Sequence, residues 1–267
     1  MANIFISYGD ERFKESLNRI ARQAKKVGIF DKIIKYTPKD LPAYIKSSPL
    51  MAFIRGGGYW VWKPYIIHYT LLQCNIGDVV WYCDAGDTLV YDSPEWEQFQ
   101  SQMQTHTAIF FQYRDGHKYE WGVNGDKTAM KYWIKPSAKD YFLQYIDAKF
   151  LDYSKIWAGF MIFKKTEKSS IILDQWYKMA LFHPELMMDS FGPDLNDPND
   201  AYHTRDQATL TPLVFHHHEE DNALVLPETA ESRISNPAVL ATRWMQGKML
   251  WHQKAKYRIW CLLHGEL

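Results

Sequence analysis

At 267 residues, 46% of them hydrophobic, the chain is long enough to bury a full core as one large domain, with room for an appendage. Its 31 Lys and Arg balance 31 Asp and Glu to a formal net charge of +0. That excludes a global field that gathers nucleic acid, so a charged partner has to be met by a local patch. An aromatic content of 16% supplies rings for a core and for stacking platforms under sugars or bases.

The first segment, "NIFISY", reads as a buried strand that stops at Gly9-Asp10. Phe13, Leu17, Ile20, Ala21 and Ala24 then mark one face of a helix, and Gly28 stands where a C-cap glycine belongs. "KIIKY" is a second strand. Strand, helix and strand in this order predict a parallel α/β opening, whose ligands sit at the carboxyl ends of the strands, where Ser7, Tyr8 and Gly9 fall. Pro64 predicts a helix start, with the helix running to about Gln73. "DVVWYCD" is an unbroken apolar run and therefore a central strand. Pro94 opens another helix, "AIFFQYR" and "IWAGFMIFKK" are strands, and a helix follows from about Glu167 to Phe182. "MMDSFGPDLNDPNDAYH" is too rich in Asp, Asn, Pro and Gly for anything but a long loop, and a last helix is predicted after Thr204. Cys74, Cys83 and Cys261 form no C-x-x-C pair, "MANIFISYGD" lacks a basic leader, and no run is long enough to span a bilayer. A cytoplasmic setting, with at most peripheral membrane contact, is expected.

Two stretches carry chemistry. In "YCDAGDTL", Asp84 leaves the end of a buried strand, which costs free energy unless a cation or hydrogen bonds satisfy it. Ala85 and Gly86 leave space beside it. An oxygen-only site suits Mn²⁺ or Mg²⁺, which share their coordination with phosphates. An ordinary Asp-Gly turn is the structural alternative. In "RGGGYWVWKP", three glycines permit positive φ and close approach. Lys63 beside Pro64 puts an ammonium at a helix start, a place for phosphate, and Arg55 offers a second, forked contact. Tyr59, Trp60 or Trp62 stack on a base, or else simply fill the core.

The order of these parts resembles a GT-A glycosyltransferase. More narrowly, "ISYGDERFKESLNRIARQAKKVGIFDKIIKYTPKDL", "GGGYWVWKPYII", "GDVVWYCDAGDTL" and "WAGFMIF" resemble bacterial and viral glycosyltransferases of surface-polysaccharide clusters, over roughly residues 3–215. The resemblance implies a Rossmann-like α/β fold with a mixed sheet flanked by helices, a catalytic domain over 1–238 and a helical tail over 239–267. It implies a hexosyltransferase that moves a sugar from a nucleotide-sugar donor, a UDP-sugar, to a glycan or lipid-linked glycan. The donor would lie against Ser7, Tyr8, Arg55, Tyr59, Trp60, Lys63, Asp84, Ala85 and Gly86. Position 86 is glycine where a D-x-D motif has its second carboxylate. Either Asp87 joins Asp84 as metal ligand, or one aspartate acts with the pyrophosphate and water.

The resemblance also places an Asp-Gln pair, Asp206 and Gln207 in "HTRDQATLTPL", near the donor sugar, with Asp206 as general base or charge stabiliser. The same residues suit a capping box from Thr204 to Gln207. Trp157 and Gly159 are candidates for the acceptor side, and His203 for that side or the ligand site. "HHHEED" over 216–221 reads better as a charged helix end than as a metal site, since consecutive histidines do not converge on one ion. The basic, tryptophan-rich tail suits an anionic membrane interface, or a helix docked on the domain. A non-catalytic module that binds a sugar nucleotide or carbohydrate is the rival reading.

Overall fold

Residues 1–120, 125–189, 203–234 and 236–244 are described by a computed structural model. Asn3–Tyr8 is apolar on both sides of its pleat and forms β1, which the helix α1 (Lys14–Val27) connects to β2 (Lys32–Tyr36). Gly28 closes α1 in the left-handed region, φ +79°. A short turn of helix, α2 (Ala43–Lys46), and a turn over Gly56–Tyr59, α3, lead into α4 (Trp62–Leu72). Then come β3 (Val79–Cys83), β4 (Thr88–Leu89), α5 (Glu95–Thr105), β5 (Ala108–Gln112), α6 (Pro136–Phe142), β6 (Ile156–Lys164) and α7 (Ile171–Phe182). The described chain finishes with α8 (Asp206–His217), β7 (Ala223–Pro227) and β8 (Val239–Leu240).

Six strands form one sheet in the order β2-β1-β3-β6-β5-β7, and β4 pairs with β8 in a small second sheet. β6 runs antiparallel to both β3 and β5, so the sheet is mixed rather than wholly parallel. Its two faces are both covered. Phe5, Val79, Trp81 and Ile162 pack with Leu17 and Ile20 of α1 and with Trp96, Phe99 and Met103 of α5. Ile4, Ile6, Val80, Tyr82 and Met161 pack with Ile66 and Ile67 of α4, Trp176 of α7 and Leu210 and Leu213 of α8. Double coverage is why these strands read as continuous apolar runs. The chain leaves β1 toward β2 and returns to β3 on the other side, which opens a crevice at the carboxyl ends of β1 and β3.

Three boundaries differ from the sequence reading, the first being the start of α4 at Trp62 rather than Pro64. α7 begins at Ile171, not near Glu167, because the Asp221 carboxylate accepts the N–H groups of Ile171 and Ile172 while Ser170 Oγ accepts that of Leu173. β5 stops at Gln112, where its pairing with β6 and β7 ends. The long polar loop falls mostly, and the basic tail from 245 onward wholly, outside the described residues. Among the described residues no helix is long and apolar enough to cross a membrane.

Candidate active site

The crevice is a cleft of about 860 Å³, within the range that holds a small organic ligand. One wall is built by the end of β1 and the turn before α4. Tyr8 stacks on Trp62 with ring centroids 3.7 Å apart and planes at 20°. The indole of Trp62 donates to Gly56 O at 2.9 Å, which locks the ring to the turn. That turn is left-handed throughout: φ is +58°, +58° and +102° at Gly56, Gly57 and Gly58, then +51° at Tyr59 and +60° at Trp60. An L-residue pays about 1–2 kcal/mol in this region, so three glycines remove most of the cost of the turn. A Cβ at Gly58 would lie 2.5 Å from Met51 Sδ, so side chains are excluded there in any case.

The floor is the turn Asp84–Asp87 at the end of β3, closed by Asp87 N–H to Asp84 O at 3.0 Å. It is clamped from behind. Arg19, buried in α1, donates to Ala85 O at 3.1 Å, Asp87 O at 2.7 Å and Thr88 Oγ1 at 2.9 Å. From the other side Trp244 N and Thr242 Oγ1 donate to Gly86 O at 2.7 and 2.8 Å. Asp84, its side chain a third exposed, accepts from Tyr82 OH and lies 3.1 Å from Lys63 Nζ. Burial raises the Asp84 carboxyl, against the pull of Lys63. Burial, then the neighbouring Asp84 and Glu231, push the Asp87 carboxyl well above the usual range.

Lys63 does not reach the cleft. It is wholly buried beneath the floor, with Nζ 2.5 Å from Asp206 Oδ2 and 3.0 Å from Ala158 O. Burial lowers its basicity, but Asp206 and Asp84 outweigh that and leave it raised, so the ammonium stays charged. The expectation of a phosphate-binding Lys63 is therefore corrected: its charge is spent on two aspartates from distant segments. Asp206 itself lines the cleft with Gln207. The capping box does not form, since Thr204 Oγ1 donates to Trp133 O and the helix start is Arg205 at φ +53° without a side-chain cap. Gln207 Oε1 is buried without a hydrogen-bond partner among the described residues.

The far wall comes from β5 and β6. Trp157, Ala158 and Gly159 line it with Tyr113, Trp133 and Lys155. Gly159 exists for its neighbour: a Cβ there would fall 2.5 Å from Cζ2 of Trp157, whose ring folds over it. Glu231 accepts from Tyr113 OH at 2.9 Å and pairs with Arg243 at 2.6 Å.

Other sequence candidates lie elsewhere or are engaged. Ser7 is buried on the opposite face of β1 from Tyr8 and is not part of the lining; its Oγ has no partner among the described residues. Tyr59 is buried outside the lining and donates to Asp189 at 3.2 Å. Arg55 and Trp60 line the mouth, where Arg55 and Arg205 converge on Asp189 at 3.1 and 2.7 Å. His203 is corrected to a structural role: its ring accepts from Lys135 N and donates to Leu186 O, and burial holds it neutral, pushed down to about 3. His217 bonds Gln175 and Glu220, and His218 bonds Val214 O, so the histidine run ends a helix. Arg19, Asp189, Lys155 and Glu231 were not singled out from the sequence. For Arg19 a signal exists, because Ser16, Arg19 and Gln23 repeat at helical spacing on the buried side of α1.

Among the described residues no three His, Cys, Asp or Glu side chains converge as a metal cage. Asp84 and Asp87 still fit a hard cation that completes its shell with ligand oxygens, since both carboxyls, Asp87 buried and Asp84 a third exposed, are raised by desolvation that a positive charge would relieve.

No protein-family model and no curated protein matches the chain. Among solved structures it is similar to a glycosyltransferase involved in the glycosylation of the major capsid of PBCV-1, at 8% identity and TM-score 0.48, over 97% of this chain and 100% of that one. It is also similar to mouse xyloside xylosyltransferase 1 in its apo form, at 10% identity and TM-score 0.43, over 85% of each chain. A third likeness is to the galactosyltransferase LgtC in complex with donor and acceptor sugar analogs, at 11% identity and TM-score 0.39, over 99% of this chain and 96% of that one. At these TM-scores the function has to be argued from the cleft itself.

Proposed function

We propose that the chain is a GT-A glycosyltransferase that transfers a sugar from a nucleotide-sugar donor, a UDP-sugar, to a glycan or lipid-linked glycan of a surface polysaccharide. One observation carries this reading: a single cleft at the carboxyl ends of β1 and β3 holds an aromatic stack, a carboxylate turn and an aspartate ion-paired from below. The Tyr8–Trp62 stack takes the nucleoside. Asp84 and Asp87 are the residues that would hold Mn²⁺ or Mg²⁺, whose positive charge would offset that of the leaving diphosphate. Arg55 serves the phosphates only by releasing Asp189. Asp206 and Gln207 face the donor sugar. Because Lys63 holds Asp206 from below, the carboxylate suits charge stabilisation at the anomeric carbon better than proton abstraction. Trp157 presents an edge of the acceptor side. Transfer takes place in the cytoplasm, and the basic tail carries the enzyme to the membrane face where a lipid-linked acceptor lies.

A panel of nucleotide sugars, followed by melting temperature with and without Mn²⁺ and then by hydrolysis and transfer, tests the reading. UDP-sugars should raise the melting temperature most, more so with Mn²⁺, and turnover should follow. Asp84→Ala should keep the fold and lose both turnover and the Mn²⁺-dependent part of the shift. Saturable binding without turnover under any condition would make the chain a sugar-nucleotide-binding module instead.

A further inference from the structure

One carboxylate ties three separate segments together at the mouth of the cleft. Asp189 Oδ1 accepts from Arg205 Nε at 2.8 Å and lies 2.7 Å from Nη2 of the same guanidinium. Asp189 Oδ2 lies 3.1 Å from Arg55 Nη1 and accepts from Tyr59 OH at 3.2 Å. Arg55 and Tyr59 belong to the glycine turn, and Arg205 stands directly before Asp206 and α8. The carboxylate has a firm base. Lys135 Nζ donates to Glu185 O at 2.6 Å and to Met188 O at 2.8 Å, and the His203 ring bonds Leu186 O at 2.7 Å. Met187 is wholly buried in a small core with Leu50, Tyr59, Val61 and Ala180. Asp189 is thus anchored by its chain neighbours on one side and reaches the two arginines on the other.

Arg205 needs holding. Its backbone, at φ +53° and ψ −110°, has the conformation of the first central residue of a type II′ turn, a place ordinarily taken by glycine. A residue with a Cβ persists there only where its surroundings over-determine it. Those surroundings include the Asp189 carboxylate and the Trp60 ring, whose centroid is 5.8 Å from the guanidinium carbon. The Arg205 side chain is 10% exposed, which sets this pair apart from the solvated ion pairs that hold little. The turn that results starts α8 at Asp206 and brings its carboxylate to 2.5 Å from Lys63 Nζ. Arg55 and Arg205 line the cleft and Asp189 does not, so any effect of Asp189 on a ligand passes through them.

We propose that Asp189 is a positioning residue: it holds Arg205 at positive φ and so sets the Asp206 carboxylate against the donor sugar. This rests on the glycosyltransferase reading above and adds to it the group that places Asp206. Asp189 brings no charge to the ligand; what it supplies is geometry. A misplacement of about 1 Å is enough to slow a reaction by about 100-fold. The nucleotide, at the Tyr8–Trp62 end of the cleft, does not depend on that placement, so rate and binding should part company.

The test uses the donor of a nucleotide-sugar panel that the wild type hydrolyses fastest, with Mn²⁺ present. Asp189→Asn keeps the shape of the side chain and removes its charge. Its kcat should fall by about 10–100-fold, with a donor KM no higher than that of the wild type. UDP should bind at least as tightly as to the wild type, since Arg55 is released rather than lost, and that binding reports a folded variant. Asp189→Glu, which restores the charge, should recover part of kcat. Arg205 gives the second arm. Arg205→Gly, whose backbone takes positive φ at little cost, should keep more of kcat than Arg205→Ala. Adding Asp189→Asn to Arg205→Gly should cost little more, because the side chain it works through is already gone. Wild-type kcat in Asp189→Asn overturns the inference and leaves the glycosyltransferase reading standing. A loss of UDP affinity as large as the loss of rate does the same, as do losses that simply add in the double variant. Equal kcat in Arg205→Gly and Arg205→Ala also overturns it, and that arm needs no folded Asp189 variant. A wild type that neither hydrolyses nor transfers any nucleotide sugar overturns the two readings together.

Discussion

Replacing Lys63 by methionine separates a buried keystone from a phosphate ligand. The side chain is wholly buried, with Asp206 at 2.5 Å and Asp84 at 3.1 Å. Methionine fills a similar volume but leaves two carboxylates without their counter-charge. Removing one partner of a buried ion pair costs about 3–5 kcal/mol, and each kcal/mol lowers the melting temperature of a domain this size by roughly 2–4 °C. The expected drop at neutral pH is therefore on the order of 10 °C, read by differential scanning fluorimetry. It should shrink on acidification, since a carboxylate that has lost its lysine escapes the penalty by taking a proton. In a double-mutant cycle Asp206→Asn should recover part of the loss, because the amide removes one uncompensated charge. Any loss of affinity should be similar for nucleoside and nucleoside diphosphate. A methionine variant that melts with the wild type but selectively loses the diphosphate would refute the reasoning and return Lys63 to the phosphates.

Two further perturbations probe the floor and the far wall. Asp87→Asn should raise the metal-free melting temperature at neutral pH. The folded-state carboxyl is raised, so its unfavourable contribution develops as pH climbs from the ordinary carboxylate range through the folded value and vanishes below it. Added Mn²⁺ should stabilise the wild type and not this variant; equal melting curves for both proteins at all pH values would remove Asp87 from the site. Gly159→Ala drives a methyl into the Trp157 ring, and overpacking of this kind costs about 1–3 kcal/mol. It should lower the melting temperature and alter tryptophan emission, and a variant indistinguishable on both counts would show that the ring moves aside freely.

The strands were legible because burial on two faces writes itself as unbroken apolar sequence, as in Val79–Cys83. Their direction was not. β6 is as apolar as a parallel strand would be, and nothing in Ile156–Lys164 states that it runs against β3. Helix starts set by distant partners were equally silent: Asp221 fixes the start of α7 from 50 residues away. The glycine triplet did announce its conformation, since only that residue takes positive φ at little cost.

For the cleft the division follows the same physics. Residues that meet the ligand space through their own local geometry, such as Asp84 at a strand end or Asp206 at a helix start, can be found from their neighbours in sequence. Lys63 shows where that method fails. A lysine beside a helix-opening proline looks the same whether its ammonium faces solvent or turns inward. What decides is the fold, which sets Asp84 and Asp206 of the cleft lining directly over the lysine, where their charges need a partner. Once the lysine is committed there, on the proposed reading the positive charge for a leaving diphosphate would come from a cation held at the Asp84–Asp87 turn. The departure from D-x-D at Gly86 then has a structural reading. Gly86 O anchors the 242–244 segment, and Asp87, one residue later, brings the second carboxylate to the cleft. On the proposed reading Asp84 and Asp87 are therefore the two carboxylates that would hold a metal, and the buried Arg19 behind the turn bonds the carbonyls of Ala85 and Asp87.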